Sequence, residues 1–495
     1  MRKYWFFLLV ITVFIPSVTA AQSKPVNTSS SFLTERVNKE LVVPVGHSET
    51  IADIQVRFVD QEGNLTKAKT QPKVITREFA LKLGDVYSSE LAKEGLQGVR
   101  NLIIVERATL TLEPVAKSNR AVMIVTVKES SNLSVDFGLT LPPPTALQGV
   151  VKSTTVKALS DSASGIGAGI SLGVLNLGSS NQKLSLGVEG GKQKFGFDLG
   201  YRNFLKHDTG YGINVFNRRG IEPELKESER DFAPWVHRLG GGIEYFQPIA
   251  KDFNSAIGLS YQRVSIRDGA FSSNIEPRDE LGNSLTVSDD GQDDLLTLNF
   301  AAVLDRQDNP KNPTHGFKLR VGSDQYIPVG DASIFSNRLG ANYTQYLPLP
   351  LFGFTEGART LVLNFQGGTI LGDVPPYEAF ILGGSSSVRG YGASEIGTSR
   401  SFIQATAEYR YPIIAVNAFK NNFDVGGTFF IDYANDLGSG DAVIGQPAVV
   451  RDKPGHGLGY GLGLRVITPV GVVRVEFAFS DRGNRKLIFK LGDRF

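Results

Sequence analysis

The chain has 495 residues, no cysteine and a formal net charge of +2. The lack of cysteine excludes thiol catalysis and Cys-based zinc sites. A near-balanced charge with no basic block gives no electrostatic case for nucleic acid. Glycine (54), phenylalanine (31) and tyrosine (15) are abundant, but membrane barrels and large soluble β-proteins share that composition, so the order of residues has to decide.

Residues 1–20 read as a secretory signal peptide. Arg2 and Lys3 make a basic start, Tyr4 to Ile15 is an apolar run broken by Pro16, and Val18-Thr19-Ala20 supplies small residues for cleavage before Ala21. The run is too short to span a bilayer, and no stop-transfer charges follow it. Residues 21–49 lack a clear period and read as a flexible tether, with a short helix from Ser30 to Leu41 as the only local signal.

Residues 50–130 change character. Ile51 to Asp60 alternates as a strand, and Gln61-Glu62-Gly63-Asn64 is a turn. The apolar spacing predicts a helix over Val74 to Leu83, stopped by Gly84-Asp85. Ser88 and Ser89 can cap a second helix through Leu91, Leu96 and Val99. Strands over Leu102 to Leu112 and Ala121 to Val127 complete a β-α-α-β-β unit, a compact α+β domain.

Residues 131–495 show period two throughout. In Leu133, Val135, Phe137, Leu139 and Leu141 the apolar positions alternate with Ser134, Asp136, Gly138 and Thr140. Near the end, Leu487, Phe489, Leu491 and Phe495 oppose Lys486, Lys490, Gly492 and Arg494. Charges at every second residue cannot all face a dry core, but they can all face a water-filled lumen. About sixteen such strands can be counted, an even number as a single-chain barrel needs. Short turns alternate with long loops: Gly178 to Asn181, Lys206 to Thr209, Pro248 to Asp252 and Thr468 to Gly471 against Pro142 to Ser164, Asp268 to Asp294, Asp373 to Arg400 and Asn435 to Pro454. A soluble sandwich gives no reason for that alternation. The fold class expected is an all-β transmembrane barrel of about 16 antiparallel strands behind a small α+β domain.

Facing singles out inward charges. If Ile403, Ala405, Ala407 and Tyr409 point to lipid, Gln404, Thr406, Glu408 and Arg410 point inward. By the same parity Asp432, Arg474 and Glu476 face the lumen, and Gly457, Gly459, Gly461 and Gly463 leave room for a packed loop. Arg389, in the loop 373–400, offers a planar five-donor fork suited to a carboxylate.

Several motifs then resemble one family. Val388-Arg389-Gly390-Tyr391, after the eleventh strand by this count, is similar to the VRGF/Y motif of the Omp85 superfamily. Asp305-Arg306-Gln307-Asp308 with Pro310, Pro313 and Gly316 resembles its D-x-R-D…P-x-x-G turn, with Gln307 where Arg is usual. Phe430-Ile431-Asp432 resembles its F-x-D strand, Thr468 to Gly471 its penultimate hairpin, and Phe495 its C-terminal insertion signal. The α+β unit resembles a POTRA domain, the periplasmic module of that superfamily.

The resemblance implies that Arg389 pairs with Asp432 and sometimes Glu408, with Glu476 a further candidate. It implies a bacterial outer-membrane protein whose POTRA-like domain lies in the periplasm and binds unfolded or nascent outer-membrane or secreted polypeptides by strand addition. Accessory periplasmic proteins and outer-membrane lipid would be further partners. A seam between the strands carrying Leu133 and Phe137 and that carrying Leu487 and Phe489 would open for substrate, with the inner loop as gate. Two alternatives stay open: a two-partner-secretion exporter of one protein, and a passive diffusion channel. No nucleophile or metal constellation is present in the sequence, so neither an enzyme nor a cofactor is expected.

Overall fold

The computed structural model describes residues 43–44, 48–138, 167–191, 194–206, 209–221, 234–250, 252–309, 312–418, 421–468 and 471–495. The signal peptide, most of the tether and the Pro142 to Ser164 loop read from the sequence lie outside these residues.

The small domain has the expected element order: β1 (Thr50–Val59), α1 (Pro72–Thr76), α2 (Ser89–Asn101), β2 (Val105–Pro114) and β3 (Arg120–Glu129). β3 is central, parallel to β1 and antiparallel to β2. Alternation explains its core: Met123, Val125 and Val127 of β3 and Ala108 and Leu110 of β2 are buried, as is the Ala92–Leu96–Val99 stripe of α2. The Ser88 hydroxyl caps α2 by accepting from the Leu91 amide at 3.4 Å.

The first helix corrects the sequence reading, since α1 ends at Thr76 rather than Leu83. Phe79 and Leu81 still reach the core, at 4% and 3% exposure, from an irregular segment. A Cβ on Gly95 of α2 would stand 2.2 Å from the Phe79 ring, so Phe79 closes against a bare helix face. Burial, not helical repeat, produced that apolar spacing.

Only Ser130, Ser131 and Asn132 separate β3 from the first barrel strand. Sixteen strands form one sheet in strict chain order. The first eight are β4 (Leu133–Gly138), β5 (Gly167–Leu175), β6 (Gln182–Gly191), β7 (Lys194–Phe204), β8 (Gly210–Ile221), β9 (Trp235–Ala250), β10 (Phe253–Arg267) and β11 (Gln292–Asp305). Next come β12 (Gly316–Ile327), β13 (Ser336–Pro348) and β14 (Thr360–Gly372), then a loop holding the short β15 (Phe380–Leu382) and β16 (Gly397–Ser399). The last five are β17 (Ser401–Ala418), β18 (Asn421–Asn435), β19 (His456–Thr468), β20 (Gly471–Ser480) and β21 (Arg485–Leu491). No helix among the described residues is long and apolar enough to cross a membrane; a barrel crosses with strands.

The faces separate as the alternation requires. On β17, Ile403 is 47% exposed outward, while Gln404, Thr406 and Glu408 are buried inward. Connections on the side of the small domain are short at 419–420 and 469–470, and those at the far end are long at 268–291, 373–400 and 436–455. The sheet ends are β4 and β21, and among the described residues no ladder joins them. The D-x-R-D-like segment is a turn on the domain side. The Asp308 carboxylate accepts from the Thr314 amide (2.9 Å) and hydroxyl (2.6 Å). A Cβ on Gly316, at φ +96°, would sit 2.0 Å from the Arg306 carbonyl oxygen, so this position needs glycine.

The small domain rests on the barrel through polar contacts to two of these turns. Arg77 donates to the carbonyls of Phe204 and Leu205, both at 2.8 Å. Asn176 donates to the Thr70 hydroxyl at 2.8 Å, and the Gln71 amide to the Ser179 carbonyl at 3.1 Å. Spin labels on exposed Glu94 and Lys206 should therefore give a narrow distance distribution, and Arg77→Ala should broaden it. An unchanged distribution would contradict this docking.

Candidate functional site: an inner loop fastened to the barrel wall

The loop between β14 and β17 does not project outward. Its β15–β16 hairpin lies inside the barrel, where Phe380, Leu382, Val388, Tyr391 and Ile396 form a buried cluster with Phe402 of β17 and Ala434 of β18. At the tip, Gly390 has φ +97°, and a Cβ there would lie 2.5 Å from the Phe479 backbone. Both the conformation and the close approach demand glycine.

Arg389 is 0% exposed, so its charge has lost all contact with bulk water. The wall replaces that hydration with carboxylates. Nε and Nη2 make a bidentate fork on Asp432 at 2.8 and 3.0 Å, and the Arg389 backbone amide donates to the same carboxylate at 3.1 Å. Nη1 donates to Glu408 and to Glu476, each at 2.9 Å. The guanidinium also lies 3.3 Å from the centroid of the Phe430 ring. Thr406 donates to Asp432 at 2.9 Å, fixing the carboxylate from its own wall. Three strands, β17, β18 and β20, each contribute one acid because lumen-facing residues on neighbouring strands fall in register: Thr406 opposite Asp432, and Gly463 opposite both Thr428 and Glu476.

The glycines of β19 make the room. A Cβ on Gly459 would lie 1.9 Å from the Arg389 carbonyl oxygen, and one on Gly457 would lie 2.8 Å from the Tyr391 ring. Tyr391 donates to Asp481 in the turn between β20 and β21. A second fastening, not read from the sequence, holds the start of the loop to the opposite wall. Arg238 of β9 donates to the Glu378 carboxylate and the Tyr377 carbonyl, both at 2.8 Å. Tyr326 of β12 donates to Glu378 at 2.8 Å, and Tyr377 donates to Asp293 of β11. The loop is thus a strap across the lumen, tied on both sides.

The chain end corrects the expected lipid-facing C-terminal signal. β21 stops at Leu491; Gly492 takes φ +101°, and the last residues turn into the lumen. Asp493 accepts from Arg410 at 2.9 and 3.1 Å and from Arg465 at 2.7 Å. Arg494 donates to Asp432 at 3.2 Å and to the Ser387 carbonyl of the loop. Phe495 lies beside the guanidiniums of Arg410 (5.8 Å) and Arg494 (5.5 Å), not on the outer face. The physical reason is charge: Asp493 and Arg494 find partners only inside. Of the other seam residues, Leu133 and Phe489 are exposed at 59% and 62%. Phe137 sits on β4 opposite Ile170, but its side chain lies outside the described residues.

Comparison with known proteins bears on the family and the fold. The Omp85 superfamily domain matches residues 176–495. The chain belongs to the Omp85 superfamily. Among its relatives, outer envelope protein 80 of Arabidopsis thaliana chloroplasts is 28% identical over 456 residues, covering 90% of this chain and 57% of that protein. Its Oryza sativa subsp. japonica counterpart is 29% identical, covering 90% and 63%. The chain therefore spans little more than half the length of these relatives. In fold it is similar to BamA from Haemophilus ducreyi lacking POTRA domains 1–3 (TM-score 0.62, 14% identity, 90% of this chain and 84% of that one). It is also similar to CdiB from Acinetobacter baumannii (TM-score 0.54, 15% identity, 89% and 73%). Omp85 proteins are β-barrels of outer membranes.

In this Omp85 barrel, five guanidiniums (Arg389, Arg410, Arg465, Arg474, Arg494) and four carboxylates (Glu408, Asp432, Glu476, Asp493) form one connected cluster. Removing Arg389 breaks the fork on Asp432 and its bonds to Glu408 and Glu476, although Arg494, Arg410 and Arg474 still pair with those acids, so Arg389→Ala should cost about 3–5 kcal/mol of barrel stability. Arg389→Lys should recover only part of this, because a point charge cannot reproduce the fork. Arg494→Ala should cost about 1–3 kcal/mol. Urea unfolding in lipid vesicles checks all three, and equal losses for Arg389→Ala and Arg494→Ala would contradict the ranking. Separately, Gly459→Val should unseat the loop, so that a cysteine at buried Val388 reacts with a maleimide that cannot reach it in the parent barrel.

Proposed function

We propose that this protein assembles or translocates polypeptides at an outer membrane, using the small domain as the receiving surface and the barrel seam as the exit. The observation that carries the reading is that β4 and β21 end the sheet without a ladder partner among the described residues. Unpaired strand edges present rows of N–H and C=O groups, which template an added strand. The same holds for β2 at the edge of the small sheet. With only Ser130 to Asn132 between β3 and β4, a chain received at the POTRA-like domain is delivered beside the seam.

In this reading the strap acts as the gate. Tyr391 bonds the turn before β21, and Arg494 ties the end of β21 to Asp432 and the loop, so movement of the seam strand disturbs the loop fastening. The role is mechanical, not catalytic: the buried charges are engaged with one another. The substrates are unfolded or nascent outer-membrane or secreted chains; lipid and accessory proteins are further partners.

Cysteine pairs placed across β4 and β21 test the seam. Locking them should abolish client insertion, with recovery on reduction; full function with the seam locked rejects the reading. Depletion followed by outer-membrane proteomics separates its two forms. Broad loss of barrels is expected for an assembly factor, and loss of a single secreted protein would assign a dedicated exporter instead.

A further inference from the structure

Two connections on the domain side are long, 306–315 and, from β13 to β14, Leu349 to Arg359. Connections on the same side at 419–420 and 469–470 take two residues, whereas the Leu349–Arg359 turn runs Leu-Pro-Leu-Phe-Gly-Phe before its polar residues. It does not hang below the barrel. It folds outward and up against the lipid-facing wall.

The clearest sign is Tyr409. By parity on β17 it faces outward like Ile403, which is 47% exposed, yet Tyr409 is 8% exposed. Phe352 covers it. The Phe352 ring lies 4.9 Å from the rings of both Tyr409 and Tyr411 and 5.8 Å from Phe429 of β18. Phe354 lies 6.1 Å from Tyr411. All three wall rings belong to the outer face.

Hydrogen bonds to the wall and across the turn hold that position. The Tyr409 hydroxyl accepts from the amides of Leu351 and Phe352, each at 3.2 Å, and lies 3.0 Å from the Leu349 and Phe352 carbonyls. The Phe354 amide donates to the Pro412 carbonyl at 2.9 Å. Arg359 gathers three carbonyls, those of Phe352 (3.2 Å), Gly357 (3.1 Å) and Thr355 (3.1 Å). With the amides of Leu351, Phe352 and Phe354 bonded to the wall, the apolar half of the turn can approach an apolar medium at a lower cost in bare N–H groups.

What it then presents is apolar and exposed: Phe354 at 75%, Leu351 at 65% and Phe352 at 44%, beside Ile414 of β17 at 51%. This patch is continuous with the lipid-facing wall and sits at its last rung, where Thr360 pairs with Arg410. Aromatic and aliphatic side chains at the edge of a bilayer are stable where the apolar body meets acyl chains and the polar end meets headgroups.

We infer that the Leu349–Arg359 turn is a membrane-interface foot, whose partner is the phospholipid surface of the leaflet on the domain side. It inserts Leu351 and Phe354 at the boundary between headgroups and acyl chains. It extends the apolar belt below β13, β14 and β17 and anchors that side of the barrel, leaving the side of β4 and β21 without such a foot among the described residues. The inference does not depend on the transport reading.

The test uses the full chain reconstituted in phosphatidylcholine vesicles, with Trp5 and Trp235 replaced by Phe and a single reporter introduced by Phe354→Trp. Lipids brominated near the headgroup should quench it more strongly than lipids brominated near the chain end, with emission shifted to the blue. Leu351→Trp, at a position with less packing, is a second reporter should the first variant fold poorly, and the same pattern is expected. Water-like emission without quenching overturns the inference, because the turn then lies in solution. Blue-shifted emission without lipid quenching also overturns it and assigns the patch to a second copy of the chain. Stronger quenching by the deep bromines rejects the interfacial depth.

Discussion

The structure depends on one buried fork: Arg389 on Asp432, sealed from water inside a barrel whose lumen would otherwise be wet. Taking a guanidinium out of solvent costs several kcal/mol even after relaxation, and mutual attraction offsets this only when geometry is good and every proton finds an acceptor. Here the acceptors come from three different strands. That requirement fixes the register of β17, β18 and β20 relative to the loop. A one-residue slip on any of them would turn its acid to the lipid side.

The cluster also makes the loop, the wall and the chain end interdependent. Asp432 accepts from the loop through Arg389 and from the chain terminus through Arg494, so neither can leave without exposing a charge the other shares. Such coupled groups are non-additive when perturbed. The opposite fastening, Glu378 on Arg238 and Tyr326, ties the same loop to the middle strands. A loop held on two walls is a strut, tied at both ends. This places the charge cluster beside one end of the sheet, β21.

Much of this was legible in the sequence because strands have a period of two. Parity alone put Glu408, Asp432 and Glu476 on one face, and the glycine run at Gly457, Gly459, Gly461 and Gly463 announced a neighbour needing space. Sixteen strands followed from the same rule. Parity failed where the strand ended. It carried Phe495 onto the lipid face, because nothing in the alternation registers that Gly492 turns the backbone inward. Helical spacing failed similarly at Phe79 and Leu81, which are buried from a non-helical path. The Tyr377–Glu378 fastening had no local signal at all: its partners, Arg238, Asp293 and Tyr326, lie far away in sequence, and only the closure of the sheet brings them together.

The central claim is that Arg389 and Asp432 act as one unit in holding the loop. A double-mutant cycle on unfolding stability in vesicles, using Arg389→Gln, Asp432→Asn and both together, measures this directly. The account predicts that the double variant is less damaged than the sum of the singles by about 2–3 kcal/mol, as expected for residues in direct contact. Losses that add to within about 0.5 kcal/mol, the behaviour of independent sites, would contradict it.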